Sequence, residues 1–431
     1  MYYILFSLFL LELYRCHKNK RLSFSFLFQI SYWVVFFQID IFINLLDLDS
    51  DGLINFFFVN DEIKKTSIIL SKLALLAFVL GNILYEYIPK SKYISNLKSL
   101  PKFNLGKLEY LTGFLLILYI SMSGDMILGE YTPVNTLPGR AHVHRLFQVF
   151  FTTNLIFRLQ KASYFGKLPF RTKVILVAYI LLSLFIGDRG PLIVIGFIFL
   201  LFYMRENNLS ILKSCFFGLI CALLLSFIGS VRQLRYDDPS YANRISRVFT
   251  DLSKPSNGIA EGGLYELAKS GRCLPAAIDY KKFHDTPFLH FQKMYLLSTI
   301  PFLSGFYLNL ADLDPQIYSS SSSLISYHLQ GGNVLYGNGT SVIADLYLDF
   351  GFYGAIFIMG YFGFFIKKTE NQFYEKKNLN FYGLFFIIFF SVAIYIPRSA
   401  MLMQLEKIIF IFIFISFLSL FKEQPRNKHN Y

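Results

Sequence analysis

Asp345 and Asp349 stand four residues apart in the stretch Ser341-Val-Ile-Ala-Asp-Leu-Tyr-Leu-Asp-Phe-Gly351. On a helix that spacing puts both carboxylates on one face. There they could take a proton or bind sugar hydroxyls. The competing reading is acid in a first helical turn, complementing the dipole; it suits Asp345 better than Asp349. Just upstream come a serine run, Ser319–Ser323, then His328, Gly331-Gly332-Asn333 and Tyr336-Gly337-Asn338-Gly339-Thr340. Glycines let backbone approach a ligand closely. Amides and hydroxyls, Asn338 among them, suit a sugar, although a flexible linker has the same composition. His328 adjoins this segment, which sets it apart from His142, His144, His284 and His290 as a candidate base.

Arginine supplies the second chemistry. Arg189 lies in Gly187-Asp188-Arg189-Gly190-Pro191 and Arg398 in Pro397-Arg398-Ser399, while Arg232, Arg235, Arg244 and Arg247 fall within sixteen residues. A guanidinium is a planar fork that matches phosphate oxygens, whereas an ammonium is a point charge. Each position also has a plainer reading. Arg189 could pair with Asp188 in a solvated turn, Arg398 could snorkel to headgroups, and the cluster could meet anionic lipid. Cys16, Cys215, Cys221 and Cys273 have no metal-ligand spacing. No nucleotide-binding or hydrolase motif is present, so neither a metal nor a cofactor is expected.

The elements that must carry these residues are apolar. Of 431 residues, 54% are hydrophobic and 16% charged, with a mean hydropathy of +0.46; a soluble domain carries about 25% charged residues. A soluble enzyme, a disordered chain and a disulfide-stapled domain are excluded. The net charge of +13 would suit a nucleic-acid binder, but the basic residues sit in short loops between apolar runs, so no nucleic-acid partner is expected. The first run lacks a basic leader and a cleavage site and reads as a retained helix. Eleven runs approach the length of a membrane-crossing helix: 2–14, 24–46, 66–88, 108–128, 143–158, 172–187, 191–204, 211–230, 342–366, 380–396 and 401–421. The connections on one side hold 23 Lys and Arg, and those on the other, together with Arg145 just inside the next helix, hold six. The first side is therefore cytoplasmic, with the amino terminus outside. The fold expected is an all-α, polytopic membrane bundle, 1–431, as a single integral membrane domain with one large external loop, 231–341. Within that loop 287–311 is apolar but interrupted; it reads as an interfacial or re-entrant helix, with a twelfth span as the rival. No internal repeat is visible, which disfavours a transporter built on inverted repeats.

The stretch from Tyr336 to Gly351, followed by Tyr353-Gly354, resembles the G-x-G-x-S-x-I-A-E-x-Y-x-x-F-G pattern of bacterial oligosaccharide repeat-unit polymerases, the Wzy-type O-antigen and capsule polymerases. Asp345 stands where that pattern has Glu. The Gly187–Gly190 hairpin, the Pro397-Arg398-Ser399 turn and the single large loop are similar too. The resemblance implies a GT-C-like glycosyltransferase fold in the bacterial inner membrane. It also implies transfer of a growing glycan from polyprenyl diphosphate onto the next lipid-linked repeat unit, on the periplasmic face. Its implied partners are the polyprenyl-diphosphate-linked oligosaccharide, membrane lipids and a chain-length regulator.

On that reading Arg189 and Arg398 stabilise the departing diphosphate, and His328, or else Asp345, takes the acceptor proton. Arg232, Arg235, Arg247, Asp349 and Asn338 bind substrate. A flippase or transporter for the same lipid-linked glycan, and an O-antigen ligase, are the alternatives.

Overall fold

A computed structural model describes residues 1–46, 60–88, 100, 105–124, 139–162, 164–186, 188–207, 270–300, 302–332, 334, 337, 339–376 and 378–420. Among these there is no strand. The helices are α1 (Tyr2–Asn19), α2 (Phe24–Leu46), α3 (Asp61–Tyr87), α4 (Leu105–Ser121), α5 (Arg140–Ala162), α6 (Phe170–Ile186), α7 (Arg189–Glu206), α8 (Cys273–Phe283), α9 (His290–Leu297), α10 (Leu303–Leu310), α11 (Pro315–Tyr318), α12 (Ser321–Gln330), α13 (Val342–Glu375), α14 (Phe381–Ser391) and α15 (Met403–Leu420). Ten of the eleven apolar runs coincide with helices; the run 211–230 lies outside the described residues. Among the described residues α3 and α13 are long and apolar enough to cross a membrane.

The chain divides into two compact units. One comprises 1–97, 263–377 and 382–406; the other comprises 98–262, 378–381 and 407–431. The first is organised on the crossing of α3 and α13. Their backbones touch because glycine faces glycine. A Cβ on Gly81 would lie 2.0 Å from the Gly360 carbonyl oxygen, and one on Gly363 would lie 2.1 Å from that of Phe78. Lipid offers no hydrophobic drive to bring helices together, so such small-residue contacts carry the packing. Around the crossing, Phe24, Phe28, Phe78, Phe362 and Phe389 form one aromatic cluster with ring centroids 4.4–6.4 Å apart. Such spacing is that of attractive aromatic pairs.

Charge closes one end of this unit. Arg15 on α1 binds Glu86 on α3 at 2.9 Å, and Lys367 on α13 reaches Glu370 at 3.1 Å and Glu86 at 3.6 Å. Glu12, buried, accepts from Ser23. The sequence placed Arg15 and Lys367 in loops as topological charges; the structure places both on helices, inside an ion network. Buried charges are tolerated only when paired in this way.

Helix α13 is interrupted. Gly351 has φ +69° and ψ −168°, so 342–350 is a short helix preceding the long one. Only glycine adopts that conformation without strain. The apolar run 287–311 is two eight-residue helices, α9 and α10, each about 12 Å long. Neither helix alone is long enough to cross a membrane. The serine run, read as linker or sugar site, instead starts α12: Ser320 accepts from the Ser323 amide and caps it.

In the second unit α4, α5 and α6 meet at buried Glu109, which pairs with Arg158 at 2.8 Å and accepts from Thr172. Helices α6 and α7 form the expected hairpin, but with 17 and 18 residues they are longer than the apolar runs suggested.

The glycine crossing makes a discriminating prediction. Gly81→Val and Gly363→Val drive a side chain into backbone, beyond the 1–3 kcal/mol or so of ordinary overpacking, and abolish the monodisperse detergent-solubilised protein. A Cβ on Gly360 meets nothing nearer than 3.5 Å, so Gly360→Ala elutes and melts like wild type in size-exclusion and thermal-unfolding runs.

Candidate functional site

The short helix 342–350 is capped by Ser341, whose hydroxyl accepts from the Ala344 amide at 3.3 Å. It presents its two carboxylates to α9. Asp345, 0% exposed, accepts from Gln292 Nε2 at 2.8 Å and from the Tyr295 hydroxyl at 3.3 Å. Asp349, 3% exposed, accepts the backbone amides of Phe291 and Gln292 at 3.0 and 2.8 Å. Helix α9 follows Leu289, which has positive φ and offers no side-chain cap. Asp349 thus caps α9 from another helix and neutralises its positive end. Ser321, at the start of α12, bonds the Tyr295 hydroxyl and Thr340. The carboxylate pair is therefore enclosed and fastens α9 and α12 to α13.

A different pair faces outward. His328, in the last turn of α12, holds its Nε2 2.9 Å from Asp279 Oδ2 on α8; the two side chains are 26% and 24% exposed. With Nε2 bound to the carboxylate, Nδ1 is left with the lone pair. The Tyr280 ring lies edge-on to His328 at 5.6 Å, and its hydroxyl meets that of Tyr318 at 3.1 Å.

Helix α2 positions Arg398. The Ser31 hydroxyl donates to the Ile394 carbonyl, and the 3-10 turn Ile396–Arg398 packs on α2 and α13. Arg398 is half-buried and forms no side-chain hydrogen bond or ion pair with the described residues. It stands within electrostatic reach of Cys273, the first residue of α8. Burial pushes that thiol up to about 12, with Arg272 and Arg398 pulling it down. From Cys273 to Asp279 is six residues, about 9 Å along α8. One helix thus leads from the arginine turn to the carboxylate that holds His328.

The second unit holds Arg189 as the first residue of α7; its side chain lies outside the described residues. Asp188 caps α7 through the Gly190 amide at 3.0 Å. Near it His144 stacks on Tyr119, centroids 4.3 Å apart, and lies 3.4 Å from the Tyr179 hydroxyl and 3.2 Å from Gln148. Arg232, Arg235, Arg247 and Asn338 lie outside the described residues. Sequence reasoning missed Asp279, Gln292 and Arg272. Nothing in their local sequence marks them, because each acquires its partners from a segment far along the chain.

Long apolar helices are consistent with a helical membrane protein, and residues 270–330 contain short helices that carry polar side chains. The family model for the O-antigen polysaccharide polymerase Wzy matches residues 1–424, and the chain belongs to that family. Membership makes it a glycosyltransferase-type polymerase that works in the bacterial inner membrane on a lipid-linked oligosaccharide, and it does not favour the flippase and ligase alternatives. No curated protein matches the chain, and no solved structure does.

Anchors and bases respond differently to substitution. Asp349→Ala leaves two amides unpaired and costs about 1–3 kcal/mol, read as a lower melting temperature and faster proteolysis of 284–320. Asp345→Asn retains polymerising activity per folded molecule, measured on the purified protein.

Proposed function

We propose that this protein extends a surface polysaccharide at the periplasmic face. The growing glycan, held on polyprenyl diphosphate, passes to a hydroxyl of the next lipid-linked repeat unit. The scaffold is read as an eleven-span, GT-C-like bundle with one large external loop. The acceptor oxygen attacks the anomeric carbon, and the bond from that carbon to the diphosphate oxygen breaks. The electron pair leaves with the diphosphate, and the acceptor proton goes to His328 Nδ1.

The observation that carries this chemistry is Arg398: a half-buried guanidinium with no counter-ion among the described residues, on a turn braced by two helices. Such a donor stabilises charge as it develops, without reorganising. His328 is the base because Asp279, 2.9 Å from its Nε2, fixes its tautomer and orientation, the logic of a catalytic triad. Asp345 is set aside as base because both its oxygens are engaged and enclosed.

Purified protein given one lipid-linked repeat unit should build a ladder of products. His328→Ala lowers the rate about 10²–10⁴-fold. Arg398→Lys, which keeps charge but loses the fork, lowers it about 10²-fold or more. Wild-type ladders from both variants would remove this mechanism. In cells, loss of the gene leaves a single repeat unit on the surface, whereas loss of a flippase or ligase leaves none.

Asp279→Asn tests the support of the base. It lowers the rate about 10-fold or more, since the imidazole loses the carboxylate that orients it. An unchanged rate would detach Asp279 from the reaction.

A further inference from the structure

Two turns far apart in sequence dock on one face of α2. Ser31 holds the turn that carries Arg398, through the Ile394 carbonyl. One helical turn further on, Val35 receives the turn Ser270–Arg272, so closely that a Cβ on Gly271 would lie 2.4 Å from the Val35 carbonyl oxygen. Positions i and i+4 lie about 5–6 Å apart on a helix surface, so α2 sets the separation of the two turns. Arg272 is 9% exposed and immediately precedes α8. Both guanidiniums act on the same thiol, Cys273. The amino-terminal end of α8, eleven residues long, adds its positive dipole at the same place.

We propose that Arg272 is a second ligand of the departing diphosphate, held in register with Arg398 by the Ser31–Val35 face of α2. The inference rests on the reading of Arg398 as a diphosphate ligand. A diphosphate has two phosphoryl groups and carries more charge than one guanidinium offsets. Two forks on one braced surface match both groups, and they select the diphosphate over a monophosphate carrier lipid. That selectivity has a use: the spent carrier must stay bound while the bond breaks, whereas a dephosphorylated lipid should not compete for the site.

The test uses the full-length purified protein, with farnesyl diphosphate and farnesyl monophosphate as competitors of the polymerising reaction. Wild type is inhibited at least about 10-fold more strongly by the diphosphate. Arg272→Lys and Arg272→Gln reduce that preference about 10-fold or abolish it, and lower kcat more than they raise KM. Arg272→Gln combined with Arg398→Gln loses less than the product of the single losses, as groups on one ligand do. A thermal melt accompanies each variant. Should the Gln variant fail to fold, the Lys variant decides.

If Arg272→Lys and Arg272→Gln keep the wild-type preference for diphosphate, the inference is overturned while the reading of Arg398 stands. If Arg398→Gln also keeps full rate and preference, that reading falls with it. A rate loss at Arg272 with the preference intact assigns the residue to folding and likewise overturns the proposal.

Discussion

The first unit depends on two helix backbones meeting where side chains would otherwise keep them apart. Gly81 and Gly363 let α3 and α13 approach until carbonyl oxygens sit where Cβ atoms would be. At that range weak Cα–H···O contacts and close dispersion add up, and a small error in register is penalised at once. The aromatic cluster and the ion network then lock the crossing from both sides. Arg15, Glu86 and Lys367 can lie within it because each answers another's charge.

Everything chemical hangs from this pair through short elements. Before Gly351 breaks the helix, the short segment 342–350 fastens α9 and α12 with two enclosed carboxylates. Helix α2, packed on the same aromatic cluster, braces the arginine turns. The result is a division of labour among similar residue types. Asp345 and Asp349 hold the loop, Asp279 orients an imidazole, and Glu12, Glu86 and Glu370 balance cations. Burial and partner, rather than residue type, separate these roles.

The helices were legible in the sequence because apolar length is a one-dimensional signal; ten runs became helices. The hairpin before Arg189 and the turn at Arg398 were legible for the same reason. The fate of Asp345 and Asp349 was not. Spacing placed them correctly on one face, but what that face meets, the amide end of α9, depends on a segment more than fifty residues upstream. The short helices α9 and α10 were blurred into one apolar stretch because Leu289 and Phe302 take positive φ, a conformation their residue types do not announce. Arg272 and Asp279 carried no signal at all, since their partners arrive from α2, α12 and the 396–398 turn.

The glycine crossing also has a consequence for biosynthesis. Gly81 and Gly360 are about 280 positions apart, and ribosomes add ~5–20 residues per second. Helix α3 therefore waits roughly a quarter of a minute to a minute in the bilayer before its mate is made. Throughout that interval its glycine groove is bare, open to lipid or to any passing helix with a small-residue stripe. A nascent chain of this kind calls for an escort, or for rapid temporary shelter against α1 and α2, which are already synthesised and end beside it.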